Sequence, residues 1–278
     1  MNDRYLAGRA AMVTGGASGM GRAMALAFAA AGADVAIGSL LSRSAARAAE
    51  GELVHRPDEQ ALERTRRDIE SCGVGAIAMA LDVCDPQSVR AFHQAAVDAF
   101  EKVDILANAA GITAEHGVIE HPDALWDKVL DVNVNGAFRT IREALPGMVE
   151  RRWGRIINIA STAASVGAAT SAAYCASKAA VTGLTRAVAQ EGAEAHVTCN
   201  SISPGWVETE FGRGWLSDIA ERQLHRRGEE YIDEQKTQNP QRRMIQPAEI
   251  GALAAFLCRE EALGITGQDL TVSAGALW

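Results

Sequence analysis

The chain has 278 residues, of which 48% are hydrophobic, 22% charged and 5% aromatic; this is the balance of a globular protein with ample apolar material for a core. The 27 Lys and Arg against 35 Asp and Glu give a formal net charge of −8 without any basic tract, which argues against nucleic acid and anionic membrane surfaces as partners. No apolar run reaches the roughly 18 residues a spanning helix needs, and the opening MNDRYLAGRAAMVTGG lacks the layout of a signal peptide, so a cytoplasmic protein is expected.

Short apolar runs alternate with longer helix-like runs. Strands are expected at 10–14, 34–38, 76–82, 103–108, 155–160, 196–202 and 269–273. They read as continuous apolar stretches, so both faces should be buried. Helices are expected at 20–31, 58–71, 86–100, 123–151, 172–192 and 247–258, with Pro57, Pro86 and Pro247 at or near their starts, where a missing N–H costs nothing. Seven strands alternating with helices imply one α/β domain over residues 1–278, a doubly wound parallel seven-stranded sheet with helices on both faces. Two stretches exceed a minimal wiring: 39–56, after the second strand, and 206–243, before the last helix. Connections this long are commonly functional, lids above all.

The first strand runs into Thr14-Gly15-Gly16-Ala17-Ser18-Gly19-Met20-Gly21 and then an alanine-rich helix. Gly15 permits a tight turn, Gly19 a close backbone approach to a pyrophosphate, and Gly21 close helix–strand packing, while the helix start offers free N–H groups. No Lys-Ser/Thr follows, so this is not a triphosphate P-loop. The fourth strand ends in Asn108-Ala109-Ala110-Gly111, at the edge where open α/β sheets bind ligands. Asp82-Val83 closes the third strand at the same edge. An Asx turn and an exposed strand-end Asp are the plainer accounts of these residues.

Ser161 closes the fifth strand, and Tyr174 and Lys178 follow in Tyr174-Cys175-Ala176-Ser177-Lys178. Residues four apart share a helix face. A cation beside a phenol favours the phenolate, which would make Tyr174 a general acid/base near neutral pH, with Ser161 placed to hydrogen-bond the reacting oxygen. The five cysteines (Cys72, Cys84, Cys175, Cys199, Cys258) form no CxxC pair and the six histidines show no metal-ligand spacing. Reduced thiols and no metal are expected.

These motifs together resemble a short-chain dehydrogenase/reductase over nearly the whole chain: TGGASGMG at 14–21, DV at 82–83, NAAG at 108–111, NVNG at 133–136, INIAS at 157–161, YCASK at 174–178 and SPGWVET at 203–209. The resemblance implies a Rossmann-type fold and an NAD(P)-dependent oxidoreductase interconverting a secondary alcohol and a ketone. It implies Tyr174 as acid/base, Ser161 orienting the substrate oxygen, and Lys178 binding the nicotinamide ribose and lowering the Tyr174 pKa. Asn133 would hold a relay water through a helix irregularity. Cofactor contacts are implied for Gly15, Ala17, Ser18, Gly19, Met20, Gly21, Ser39, Asp82, Val83, Asn108, Ala109, Ala110, Gly111, Tyr174, Lys178, Pro204, Gly205, Val207 and Thr209.

The chain departs from the pattern at Ala109 (usually Asn), at Ser39 (usually an aspartate) and at Ser273-Ala274-Gly275 (usually DGG). Losing the aspartate removes repulsion of a 2′-phosphate, and Arg43, Arg47 and Arg56 follow, which leans the reading toward NADP with NAD left open. The carboxyl third is similar to D-3-hydroxybutyrate dehydrogenases, but Thr113 and Ala163 stand where those carry substrate-carboxylate ligands; Arg213 or Lys236 would have to substitute from the 206–243 lid. The 39–56 insertion is similar in position and length to that of mycofactocin-coupled members, which usually keep the strand-two aspartate. A small alcohol or ketone substrate and a homotetramer, or else a homodimer, are expected. The rivals are a 3-oxoacyl carrier-protein reductase-like enzyme and a non-catalytic dinucleotide-binding sensor.

Overall fold

The computed structural model describes residues 4–43 and 48–276. Seven strands, β1 (Ala10–Thr14), β2 (Asp34–Ser39), β4 (Ala76–Ala80), β5 (Ile105–Asn108), β7 (Gly154–Ile159), β8 (Val197–Pro204) and β9 (Asp269–Val272), form one sheet in the order β4-β2-β1-β5-β7-β8-β9. Every pairing in it is parallel. The strand order reverses direction at β1 and β5, so a crevice opens at their carboxyl ends.

The period of two explains why the central strands are apolar throughout. Val13, Ala107 and Ile157 face one core, whereas Met12, Leu106 and Ile156 face the other. The first core is closed by α1 (Gly19–Ala30), α2 (Glu59–Glu70) and α9 (Pro247–Leu257), through Met24, Phe28, Ile69 and Ile250. The second is closed by α3 (Pro86–Phe100), α5 (Gly136–Glu150) and α6 (Ala172–Gly192), through Phe92, Ile141, Met148 and Val188. The expectation of two buried faces fails at the margins: β4 and β9 are edge strands and only half-buried.

Helix starts follow local chemistry. Asp58 caps α2 by accepting from Ala61 N at 2.7 Å, and Asp85 caps α3 by accepting from Gln87 N at 2.8 Å. Pro86 and Pro247 occupy the first position of α3 and α9.

The expected 123–151 helix is α4 (Asp123–Leu130), one π-helical turn (Asp131–Asn135) and α5. The 206–243 stretch holds α7 (Glu210–Asp218), a second π turn (Ile219–Gln223) and α8 (Gly228–Gln238), with Leu216, Ile232 and Met244 as a small core. A feature the periodicity did not announce is a two-stranded ribbon: β3 (Glu52–Leu53) pairs antiparallel with β6 (Thr113–Ala114). Two-residue strands carry no pattern to read.

The polar residues at the strand ends satisfy one another. Asn158 is fully buried, accepts from Asn108 Nδ2 at 2.9 Å and donates to Thr185 Oγ1 at 3.0 Å. The Asn108 amide oxygen accepts from Thr140 at 2.7 Å, which ties β5 to α5. Asn158→Leu would strand a buried donor and an acceptor. A loss of about 2–4 kcal/mol is expected from the denaturation midpoint, and a loss under about 1 kcal/mol would show that these amides are not the joint of the sheet.

Candidate active site

The glycine turn is built by close contact. Gly15 has φ 67°, the left-handed region that favours glycine, and a Cβ on Gly21 would lie 2.2 Å from the Gly15 carbonyl oxygen. Thr14, which opens the motif but carries no role in its sequence reading, locks the turn to the next strand end: its hydroxyl accepts from Ala109 N at 3.1 Å and Ala110 N at 3.2 Å. The first turn of α1 carries no acidic residue and receives no side-chain cap, so its positive end faces the crevice uncompensated.

The crevice has a volume of about 1060 Å³. Gly15, Ser18, Gly19, Met20, Gly21 and Ser39 line one side, and Asp82, Val83, Ala109, Ala110 and Gly111 another. Tyr174, Lys178 and Thr209 also line it. Five residues of the expected cofactor set are not brought to this lining, and of the four expected catalytic residues Ser161 and Asn133 are not part of it either. Ala17 donates its N–H to Ser39 Oγ at 3.1 Å behind the turn. The Asn108 side chain is spent below the floor on Asn158 and Thr140. Pro204 ends β8, Gly205 N bonds the Val272 carbonyl, and Val207 is buried in a bridge to Ile245.

Ser161, Tyr174 and Lys178 meet at one end. A hydrogen bond donated by Ser161 to the phenol lowers the Tyr174 pKa, but burial outweighs it and holds the group up at about 12. The sequence reading expected depression by Lys178. Instead, the ammonium sits 5.5 Å from the centroid of the phenol ring and donates to the Ile159 carbonyl at 2.8 Å. Burial pushes Lys178 itself down to about 8. Asn133 sits in the first π turn. Its Oδ1 accepts from Ile112 N, and its Nδ2 donates to the Ile112 carbonyl and to Ser177 Oγ, each at 2.9 Å. The amide thus joins the exit of β5 to α6. Ser177, the small residue inside YCASK, is its unforeseen partner.

With this geometry in view, comparisons with known proteins are specific. A family profile described as enoyl-(acyl carrier protein) reductase matches residues 53–276. The 3-oxoacyl-(acyl-carrier-protein) reductase of Vibrio cholerae is 35% identical over 97% of this chain and 98% of its own. The chain belongs to the short-chain dehydrogenase/reductase family. A D-beta-hydroxybutyrate dehydrogenase of Cupriavidus necator is 32% identical over 97% of this chain and 98% of its own. The crystal structure of actinorhodin polyketide ketoreductase with NADPH superposes with a TM-score of 0.86 at 32% identity, covering 96% of each chain. As a short-chain dehydrogenase/reductase, the protein is an NAD(P)-dependent oxidoreductase that interconverts a secondary alcohol and a ketone.

The two long stretches of this family member both reach the crevice. In 39–56, the Glu52 side chain is 1% exposed and pairs with Lys128 on α4 at 2.7 Å and with Arg56 at 3.4 Å, while accepting from Ala49 N at 2.8 Å. His55 lies 3.3 Å from Glu210 at the start of α7. Arg56 lines the crevice with Ser39; Arg43 turns outward to Glu59 at 3.4 Å. Arg47 and the C-terminal Leu277-Trp278 lie outside the described residues. In 206–243, Arg213 is held between Glu208 and Glu229, each at 2.6 Å, and Lys236 pairs with Asp233 at 3.1 Å. The two cations expected as carboxylate ligands are therefore already engaged. Among the described residues no group of three His, Cys, Asp or Glu gathers as a metal site, and no helix is long and apolar enough to cross a membrane.

Burial of Lys178 has a measurable signature. Its pKa falls from 10.5 unfolded to about 8 folded, so between these values the unfolded chain binds more protons and stability rises with pH. The lysine therefore weakens the fold most below pH 8 and is relieved toward 10.5. Lys178→Met removes that penalty. The stability gap between variant and wild type should be largest below pH 8 and shrink by about 3 kcal/mol by pH 10.5. Denaturant titrations across this range check it, and a pH-independent gap would refute it.

Proposed function

We propose that this enzyme reduces a compact ketone to a secondary alcohol with NADPH, and runs the reverse reaction with NADP, using Tyr174 as acid and base. The convergence of Ser161, Tyr174 and Lys178 at one end of the crevice carries this reading. The crevice suits a dinucleotide: the Gly21–Gly15 contact admits no side chain, and the open first turn of α1 is a ready anion site. Bound there, the nicotinamide supplies or accepts the hydride.

The chain's own residues handle the proton. A phenol held at about 12 keeps its proton throughout neutral pH, which suits donation to a carbonyl oxygen. The Ser161 hydroxyl orients that oxygen. As the proton leaves, the Lys178 cation stabilises the phenolate. Asn133 contributes by fixing the π turn and the corner of α6 on which these groups stand. Tyr174→Phe keeps the ring and removes the donor. Unchanged folding and cofactor binding are expected, with turnover reduced by about 10²–10⁴-fold. Near-normal turnover in the variant would overturn the mechanism, and a wild type that binds the dinucleotide but turns over no ketone would favour the sensor reading.

The lean to NADP rests on the buried Ser39, where an acid would repel a 2′-phosphate; Arg56 also lines the crevice, but its guanidinium is already paired with Glu52. The NADPH in the polyketide ketoreductase structure supports the same choice. Ser39→Asp should shift the preference toward NAD by roughly 1–3 kcal/mol. The ratio of kcat/KM for the two cofactors in wild type and variant measures it, and a wild type strongly selective for NAD would reverse the reading.

The likeness to the Vibrio cholerae enzyme gives a second reading, a reductase of 3-oxoacyl thioesters. A panel of free ketones beside 3-oxoacyl thioesters, followed by nicotinamide absorbance, separates the two. We further assign the chain to the cytoplasm as a single cofactor-binding domain, with 39–56 as an insertion and 206–243 as a substrate lid, assembled as a homotetramer about two-fold axes.

A further inference from the structure

Glu115 follows β6, belongs to none of the family motifs, and is 8% exposed. Its carboxylate accepts from Ser171 Oγ, Thr170 Oγ1 and Trp215 Nε1, each at 2.7 Å, and from Gln223 Nε2 at 3.2 Å. All four donors are neutral, and they come from two places. Thr170 and Ser171 lead directly into α6, which carries Tyr174. Trp215 and Gln223 belong to α7 and the π turn after it. The corner is held against strain: Thr170 has φ 63°, a region a β-branched residue rarely adopts.

Trp215 is the inner end of this arrangement. Its ring meets the Tyr174 ring edge-on, with centroids 4.9 Å apart at 76°. It also packs on Trp206 at 5.1 Å and on Phe211 at 6.0 Å. Tyr174 and Phe211 both line the crevice. The indole N–H bond to Glu115 fixes which way that ring stands beside the phenol.

We propose that Glu115 is a positioning residue that holds Trp215 against Tyr174, and that this indole is the wall limiting the substituents a ketone can carry at the reacting centre. The inference rests on the reading of Tyr174 as acid and base. The substrate it selects is a ketone with compact, apolar substituents. The carboxylate, already serving four donors, is not a ligand for a polar substrate group, and Trp215, which meets the phenol and is itself packed by Trp206 and Phe211, favours apolar contact.

The test compares kcat/KM for a small acyclic ketone with that for a bicyclic one, in wild type, Trp215→Ala and Glu115→Gln. Trp215→Ala should raise the bulky-to-small ratio by about tenfold or more, the scale of a resized apolar pocket. Glu115→Gln keeps the shape and weakens the acceptor, so it should move the ratio in the same direction by a smaller factor, chiefly through KM. Cofactor affinity, read from nicotinamide fluorescence, should be unchanged in both. A ratio unmoved in Glu115→Gln, or equal loss on both ketones with the ratio fixed, overturns the proposal; the second pattern is what a purely structural role gives. If Trp215→Ala does not fold, Trp215→Phe keeps a ring, drops the N–H and should also raise the ratio. Tyr174→Phe run alongside separates the two readings: an inactive Tyr174→Phe with an unmoved ratio refutes only the wall, whereas an active one refutes the acid/base assignment beneath it.

Discussion

In a parallel sheet the carboxyl ends of all strands emerge at one edge, and the polar groups there must satisfy one another. Here the solution is a set of short bonds between strand ends. Thr14 holds the backbone of Ala109 and Ala110, Asn108 and Asn158 join β5 to β7, and Asn133 joins the β5 exit to α6. Each bond brings two sequence-distant segments to a fixed separation. The glycine turn and the Tyr174 helix are held by this edge, so the site inherits its geometry from the sheet rather than from the loops around it.

Burial then sets the electrostatics. It penalises the charged forms of both Tyr174 and Lys178, raising the phenol and lowering the ammonium. Neither phenolate nor ammonium is favoured there. The Ile159 carbonyl keeps the lysine within reach of the ring without making it a direct partner of the phenol oxygen. Such a setting favours a protonated tyrosine at neutral pH.

The sheet was legible in the sequence because its strands are buried on both faces and end at motif residues: Met12 and Val13 had to face different cores, and Gly21 could carry no side chain. The nearness of Tyr174 and Lys178 was legible because the two share a helix face. The sequence hid contacts between residues that no period connects. Thr14 looks like any strand-end threonine, Glu115 like a loop acid, and Glu52-Leu53 is too short to show alternation. The fate of Asn108 was hidden too, since an amide at a strand end reads the same whether it faces a ligand or another amide. The expected drop in the Tyr174 pKa failed because spacing reports proximity and says nothing of desolvation.

The ribbon between 39–56 and the main body is made of two residue pairs, too few to hold by themselves. Glu52 adds to it by gathering Ala49, Arg56 and Lys128 onto one carboxylate. Losing that one side chain would break three ties in a single step, leaving the Glu115 N bond to the Gly51 carbonyl and the His55–Glu210 pair to carry what they held.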